Sequence, residues 1–270
     1  MKVNNISQLF YKLTNIKPYR CNIIKDGITN KNYKIFTHQG IYVLRMPRKE
    51  MIAINYLNQA KVLKKVKDLN VEVIYYDNTG ILITSFVKHN KKECIDFNLV
   101  VNKLKTLHSL DSSDIDDFDP FINLKEYKKV VNETLFNNED KIINKAKTLY
   151  DRHLKVLCHN DVLLANFIKT SSSSYLIDYE YAGKNIALFD IVSFLSENNI
   201  DDENLQHKFL KMYYGKVDET LLNEVKIMYS FLDVLWTYWA KAMYIKYNEE
   251  VFNDIALEKT SRYNLIDDTY

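Results

Sequence analysis

The chain has 270 residues, of which 47% are hydrophobic and 27% charged, a balance that is typical of a folded globular protein and argues against intrinsic disorder. Its 37 Lys and Arg residues nearly match its 35 Asp and Glu residues, so the net charge of +2 does not indicate nucleic acid or an anionic membrane as a partner. The three cysteines are widely spaced and include no Cys-x-x-Cys pair, which argues against a disulfide scaffold.

The first 20 residues lack the apolar run and the small-residue cleavage site of a signal peptide. No stretch of the chain approaches the roughly 18 apolar residues that a transmembrane helix needs. We therefore expect a cytoplasmic protein that has neither a membrane nor nucleic acid as its partner.

The first 87 residues are predicted to form a small five-stranded antiparallel sheet that carries one helix. A short amphipathic segment precedes the sheet, with Ile6, Phe10 and Leu13 at helical spacing. The run from Glu50 to Leu69 has its apolar residues on one helical face and is predicted as the helix of this lobe. The strand-like runs are residues 19–25, 32–37, 41–46, 71–76 and 80–86.

From residue 88 onward the pattern changes to long amphipathic stretches, which are predicted as helices. These stretches are residues 97–110, 124–136, 142–149, 186–196 and 221–247. One β segment interrupts them, with a strand over residues 154–159 and a hairpin that closes at Ser171 to Ser174. The predicted fold class is α+β, with an N-terminal lobe over residues 1–87 and a larger, mainly helical C-terminal lobe over residues 88–270.

The strongest functional signal lies inside this β segment, in HNDVLLANF and the later SYLIDYE. Asp161, Asn166 and Asp178 have the spacing of the catalytic and metal-binding segments of protein kinases. In phosphoryl transfer the first Asp orients the attacking hydroxyl and accepts its proton, while the Asn and the second Asp hold magnesium. A polar turn and a strand-terminal cap are the structural alternative, but they do not explain all three residues at this spacing. We predict a kinase site in which Asn166 and Asp178 are the metal ligands.

A second signal is the turn between the first two strands, in IIKDGITNKNYKI. Gly27, Thr29 and Asn30 can offer hydrogen-bond donors to phosphate oxygens there. A plain hairpin turn would look similar, although the place of this hairpin in a small β lobe fits nucleotide binding. Arg45 lies mid-strand among apolar residues, where a cation needs a phosphate or carboxylate partner unless it faces solvent.

The third signal is aromatic. Trp236 and Trp239 lie three residues apart and share one helical face. Glu180 and Tyr181 come just after Asp178, and Glu197 ends the segment LFDIVSFLSE. Aromatic faces beside a carboxylate suit a quaternary ammonium group, which conventional hydrogen-bond donors cannot recognise. Packing of the two Trp side chains in the core is the structural alternative.

The motifs, taken in order, resemble those of bacterial choline kinases of the choline and ethanolamine kinase family, within the aminoglycoside phosphotransferase-like group. The motifs are GITNKNY, YVLRMP, TGILITSFV, HNDVLLANF, LIDYEYAG, LFDIVSFLSEN and WTYW. The resemblance implies a bilobal protein-kinase-like fold whose first lobe binds nucleotide and whose second lobe binds substrate and performs catalysis. It implies transfer of the γ-phosphoryl group of ATP to the hydroxyl of choline with Mg²⁺ as cofactor. We expect a monomer or a homodimer.

Carried over position by position, the resemblance implies that Asp161 is the catalytic base, that Asn166 and Asp178 hold the metal, and that Asp190 supports the catalytic loop. Nucleotide contacts would come from Gly27, Thr29, Asn30, Asn32 and Arg45, and from an adenine-contacting hinge at Ser85, Phe86 and Val87. Contacts with the acceptor would come from Asp161, Glu180, Tyr181, Glu197, Trp236 and Trp239.

Two departures from the family pattern affect the nucleotide lobe. Tyr56 and Gln59 stand where similar proteins carry an Arg-x-x-Glu helix signature, so the helix lacks the carboxylate that would pair with Arg45. Gln59 could hydrogen-bond Arg45 instead, or Glu50 could substitute for the missing carboxylate. Asp26 stands where a second Gly is frequent, and its charge would oppose phosphate binding unless it points away.

Two alternatives stay open at this point. Ethanolamine is the nearest alternative acceptor, because its primary ammonium could use Glu197 and needs fewer aromatic faces. Another small alcohol or an aminoglycoside is a further alternative. A non-catalytic binding protein of the pseudokinase type is the alternative from another class, favoured by Gln59 and by the shortened loop after Arg45.

Overall fold

A computed structural model of the protein describes residues 3–24, 27–48, 52, 54–88 and 96–267. The chain divides into two compact units. The first unit consists of Met1–Asp116 and Leu164–Gly183, and the second unit consists of Asp117–Leu163 and Lys184–Tyr270. These ranges differ from the predicted lobes, which were divided after residue 87 into a nucleotide-binding and a catalytic part. That functional division stays a prediction.

The first unit contains the predicted five-stranded antiparallel sheet, with strand order β1-β2-β3-β5-β4. Side chains alternate between the two faces of β2, so that Tyr33 and Ile35 are buried while their neighbours are more exposed. The strands are β1 (Pro18–Ile24), β2 (Asn30–Thr37), β3 (Ile41–Pro47), β4 (Val73–Tyr76) and β5 (Leu82–Ser85).

The first helix, α1 (Val3–Thr14), packs on this sheet through the apolar face that its sequence predicts. Ile6 and Phe10 are fully buried and belong to one hydrophobic cluster with sheet residues. Full burial of such a side chain stabilises the fold by about 1.5–3 kcal/mol. The sheet residues of the cluster are Tyr33, Ile35, Tyr42, Leu44 and Ile83.

The helix predicted over residues 50–69 is shorter in the structure, as α2 (Tyr56–Lys65). Asn55 has an extended backbone, and its side chain accepts the backbone N–H of Asn58 at 3.0 Å. This N-cap satisfies a donor that the first helical turn would otherwise leave unpaired, so it sets the start of the helix. The predicted start at Glu50 lies outside the described residues.

The rest of the first unit consists of α3 (Phe97–His108) and the predicted hairpin, formed by β7 (Phe167–Lys169) and β8 (Ser174–Leu176). A 3₁₀ turn over Leu164–Asn166 precedes the hairpin and another over Tyr179–Tyr181 follows it. The candidate metal ligands therefore lie at the two ends of one small β element.

The second unit is built around one long helix. α8 (Glu219–Tyr247) is 29 residues long, its side chains are mostly buried from Val225 to Met243, and it packs against α4, α5, α6 and α9. The other helices are α4 (Pro120–Val131), α5 (Glu139–Tyr150), α6 (Ala187–Glu197), α7 (Glu203–Tyr214) and α9 (Glu250–Asp267). Among the described helices, none combines the length and the apolar composition that a membrane crossing requires.

Several features of the second unit differ from the sequence prediction. Helix α7 was not predicted, and α5 begins three residues before its predicted start at Ile142. α4 begins four residues earlier than predicted, because Asp119 caps the N–H groups of Phe121 and Ile122 and Pro120 occupies the first turn. The predicted strand β6 (Lys155–Cys158) pairs with β9 (Gly183–Ile186), which was not predicted.

Candidate active site

One buried carboxylate holds the backbone of the loop that leads to Asp161. Asp190, on α6, is 0% exposed and accepts the backbone N–H groups of His159 and Asn160, each at 2.7 Å. Hydrogen bonds to an ionised acceptor are roughly twice as strong as neutral ones. The support that the resemblance implied for Asp190 is therefore present in the structure.

Asn160 turns this loop through a left-handed backbone conformation, with φ of 64°. A side chain other than Gly adopts this conformation at a cost of about 1–2 kcal/mol. The side-chain oxygen of Asn160 accepts from Nδ2 of Asn185 at 2.8 Å, and Oδ1 of Asn185 accepts the N–H of Ile186 at 2.8 Å. These buried hydrogen bonds offset the strain, so the direction in which the chain enters Asp161 is fixed locally.

The two candidate metal ligands belong to the first unit. Asn166 is buried, and its carbonyl oxygen accepts the N–H of Ile177 at 2.9 Å. Asp178 follows directly and has a left-handed backbone with φ of 71°. Asn166 and Asp178 offer an amide oxygen and a carboxylate, and hard Mg²⁺ prefers oxygen ligands of this kind. This donor set fits a magnesium ion.

Arg45 lies mid-strand in β3, and its side chain is only 7% exposed. It forms a salt bridge with Oδ1 of Asp178, and its Nη1 lies 3.9 Å from Oε2 of Glu180. A buried cation needs such partners because its desolvation is costly. The alternative of a charge on a solvated strand face is therefore wrong.

Glu180 connects this ion pair to the turn between β1 and β2. It is buried, and its Oε2 accepts from Nδ2 of Asn30 at 2.7 Å. Burial raises the pKa of the Glu180 carboxyl, and the charge of Asp178 raises it further. The charge of Arg45 and the hydrogen bonds from Asn30 and Thr29 act in the opposite direction. Five of the predicted site residues thus meet in one partly buried polar cluster.

Helix α2 does not supply a partner for Arg45 among the described residues. Gln59 is buried, and its Oε1 accepts from the Tyr76 hydroxyl at 2.9 Å, so the suggested hydrogen bond between Gln59 and Arg45 is wrong. The other suggested substitute, Glu50, and the acidic Asp26 lie outside the described residues. Within the described part of the chain, carboxylates from the segment after β8 take the place of a helix carboxylate.

The predicted phosphate turn contains a position that favours glycine. Gly27 has φ of 96°, and a Cβ atom added there would lie 3.2 Å from Nδ2 of Asn32. Asn32 in turn lies opposite Arg45 in the pairing of β2 with β3. Gly27 and Asn32 are therefore neighbours, and Asn32 lies opposite Arg45 in the sheet.

The predicted hinge begins with Ser85, the last residue of β5. The N–H and the hydroxyl of Ser85 contact the carbonyl oxygen and Oε2 of Glu72, at 2.9 and 2.7 Å. The N–H of Phe86 donates to the carbonyl oxygen of Ile41 at 2.9 Å, and Val87, the next residue, is partly buried. The first hinge residues are thus tied to neighbouring strand segments, and their contact with adenine stays a prediction.

The two tryptophans of the chain pack together in α8. Trp236 and Trp239 are each 8% exposed, and their ring centroids lie 6.1 Å apart with the planes at 87°. Phe189 packs edge-on against Trp236 at 6.4 Å, and Phe252 against Trp239 at 5.7 Å. The indoles are thus held in fixed orientations by edge-to-face aromatic contacts. Tyr181 is also buried, in the 3₁₀ turn of the first unit.

Glu197 ends α6, and it has a partner that the sequence analysis missed. Its Oε2 accepts from Nζ of Lys259 at 2.8 Å, and its Oε1 from the Ser196 hydroxyl at 3.0 Å. The signal that could have found Lys259 is its place in α9, where Phe252 and Lys259 lie seven residues apart and therefore share a helix face.

These observations can be set beside known proteins. The family model described as choline/ethanolamine kinase matches residues 48–265. The chain belongs to the choline/ethanolamine kinase family. Membership confirms the predicted resemblance and the predicted enzyme class, a phosphotransferase that acts on an alcohol group of a small molecule and uses a nucleotide as donor.

Individual relatives cover nearly the whole chain. Protein LicA from Haemophilus influenzae is 24% identical over 262 residues, which span 86% of this chain and 96% of that protein. The crystal structure of choline kinase LicA from Streptococcus pneumoniae matches with a TM-score of 0.82 at 21% identity, over 99% of both chains. A choline/ethanolamine kinase family protein from Mesorhizobium loti matches with a TM-score of 0.77 at 21% identity, over 98% of this chain and 95% of that chain. These likenesses confirm the predicted α+β, protein-kinase-like fold class.

Proposed function

We propose that this kinase transfers the γ-phosphoryl group of ATP to the hydroxyl of choline, giving phosphocholine and ADP. The family gives the class of reaction, whereas the choice of acceptor depends on the side chains that this chain places in its acceptor site. The observation that carries the proposal is the pair of buried indoles, Trp236 and Trp239, held at right angles by neighbouring aromatic rings. Their faces can attract a trimethylammonium group, which has no N–H to donate.

Asp161 is assigned as the catalytic base. It would orient the choline hydroxyl and accept its proton as the oxygen attacks the γ-phosphorus. The two hydrogen bonds from the loop to Asp190 support this role, because they fix the backbone directly before Asp161. Positioning of this kind supplies much of the catalysis in phosphoryl transfer.

Asn166 and Asp178 are assigned as the ligands of Mg²⁺, which when bound would neutralise charge on the ATP phosphates. The salt bridge between the buried Arg45 and Asp178 supports the assignment, because it holds the carboxylate beside a cation suited to phosphate. The phosphates would contact Arg45 and the turn residues Gly27, Thr29, Asn30 and Asn32. Adenine would lie against Ser85, Phe86 and Val87.

The acceptor's ammonium group would be bound by the two indoles, by Tyr181, and by the carboxylates Glu180 and Glu197. Cation–π contacts contribute about 0.5–1 kcal/mol each at exposed sites and about 2 kcal/mol when desolvated. The burial of both Trp side chains therefore favours the upper end of this range. We expect the enzyme to act in the cytoplasm, which supplies ATP.

The experiment is an acceptor panel. Purified protein is given ATP and Mg²⁺ with choline, ethanolamine or a mixture of aminoglycosides, and ADP release is measured. Turnover that is selective for choline supports the proposal. Selective turnover of another acceptor rejects the indole assignment but keeps the kinase chemistry, and ATP binding without turnover of any acceptor supports a non-catalytic protein.

A further inference from the structure

The last helix, α9, carries two basic side chains that are largely buried. Lys259 is 3% exposed, and the side chain of Arg262 is 17% exposed. Lysine is almost never buried without an ionic partner. Lys259 pairs with Glu197 at the end of α6, and Nε of Arg262 donates to both carboxylate oxygens of Asp233 in α8, at 2.9 and 3.0 Å.

The two ion pairs are joined through one serine. The Ser196 hydroxyl donates to Oε1 of Glu197 and accepts from Nη2 of Arg262 at 2.7 Å. The backbone carbonyl oxygen of Ser196 accepts from Nη1 of Arg262 at 2.9 Å. Both oxygens of Glu197 therefore have donors. Two carboxylates face two basic groups, so the network as a whole carries no net charge.

The same helix also reaches the tryptophan pair. Phe252 is fully buried, and its ring packs edge-on against Trp239. Lys259 follows two helical turns later and lies on the same face of α9. One helix thus contacts both the aromatic part and the carboxylate part of the proposed acceptor site.

The charge state of Glu197 matters differently for the two candidate acceptors. A primary ammonium has three N–H groups that need acceptors, and a carboxylate without a competing cation is the best partner for them. A trimethylammonium has no such donors and gains from aromatic faces instead. A carboxylate that already pairs with a lysine offers less to a second cation.

We infer that Lys259 is a specificity-determining residue: by pairing with Glu197, it makes the acceptor site select a quaternary ammonium through the indoles over a primary ammonium through the carboxylate. This inference rests on the proposed function, because it concerns the acceptor contacts of the same site. It assigns a role to a helix that carries no acceptor-contact residue in that proposal.

The test uses the fact that the chain contains two tryptophans, Trp236 and Trp239. Tryptophan emission therefore reports on the proposed acceptor site without any need for turnover. Choline and ethanolamine are titrated against wild type, Lys259→Met, Glu197→Gln and the double variant. We expect Lys259→Met to reduce the preference for choline over ethanolamine about tenfold, since one charge-assisted hydrogen bond is gained by the primary ammonium.

The double variant separates a charge effect from a packing effect. In the Glu197→Gln background, Lys259→Met should leave the preference unchanged, because no carboxylate is released. An unchanged preference in the single variant, or an equal change in both backgrounds, would overturn the inference. If Lys259→Met does not fold, Lys259→Gln, which keeps a donor without the charge, replaces it under the same expectation.

Lys241→Met is the matched control, because Lys241 also links α8 to α9, through Oδ1 of Asn253 at 3.1 Å. It should leave the preference at the wild-type value. ADP release is measured separately. Selective choline binding without ADP release would reject the proposed function and leave the inference standing, whereas no change of emission with either acceptor in any variant would overturn the inference.

Discussion

Replacing Asp190 by Asn should slow turnover by about a hundredfold, because it loosens the backbone that precedes Asp161. The Asp190 carboxylate accepts two backbone N–H groups, each at 2.7 Å, inside the protein. An Asn keeps one acceptor oxygen and turns an NH₂ group toward the second donor. One charge-assisted bond is lost and one buried N–H is left unpaired, which together should lower the free energy of unfolding by about 2–4 kcal/mol.

The assay measures kcat for the preferred acceptor, nucleotide affinity, and urea unfolding by circular dichroism. Nucleotide affinity should change little, because the contacts assigned to nucleotide lie on other elements. Asp254→Asn, at an exposed position of α9, is the control and should behave like wild type. A kcat for Asp190→Asn within threefold of wild type, with unchanged stability, would refute the reasoning.

Three further predictions concern the backbone, the pH dependence of stability and the acceptor. Gly80→Ala should lower the free energy of unfolding, measured by urea titration, by about 2–3 kcal/mol, since at φ of 83° its Cβ would lie 2.4 Å from Cε1 of Tyr56. Gly215→Ala is the control, because φ is 81° there but the space is open, and it should cost about 1 kcal/mol. Burial raises the pKa of Asp233 to about 6, so the folded state keeps a proton that the unfolded state releases, and stability should fall as the pH rises from about 4 to 6. Asp233→Asn should remove this fall, and parallel stability curves for the two proteins would contradict it. Trp239→Leu should raise KM for choline about tenfold and leave KM for ATP unchanged, and an equal rise of both would contradict the assignment of its indole.

The sheet, the long helices and the kinase motifs could be predicted because they depend on local pattern. β2 alternates buried and exposed side chains at the period of a strand, and α1 shows the spacing of a one-sided helix. Asp161, Asn166 and Asp178 have the spacing of a kinase motif that can be read from the sequence, and their catalytic and metal-binding roles stay predictions.

Other features could not be predicted because partners distant in sequence decide them. β9 is four residues long, and it pairs with β6 and, at Lys184, with Asp117, both of which lie far away in sequence. The partner of Arg45 is a carboxylate 133 residues away, where the family pattern suggested a nearby helix. Lys259 is buried because Glu197, 62 residues earlier, is there to receive it. The local sequence pattern does not indicate such long-range pairs.

The start of α2 is another feature that the local sequence pattern does not predict. The apolar periodicity of the segment extends from Glu50 to Leu69, whereas α2 itself begins only after Asn55. The hydrogen bond from the N–H of Asn58 to the Asn55 side chain fixes the start, and periodicity does not detect a cap.

The most direct test of the central proposal is detection of the product. Phosphocholine formed from ATP and choline is followed by phosphorus NMR with wild type and with Asp161→Asn, each with and without Mg²⁺. We predict a phosphocholine signal that grows with wild type and Mg²⁺ and falls at least a thousandfold in rate with Asp161→Asn, which cannot accept the hydroxyl proton. Equal rates for the two proteins, or ATP consumption that leaves choline unmodified, would contradict the account.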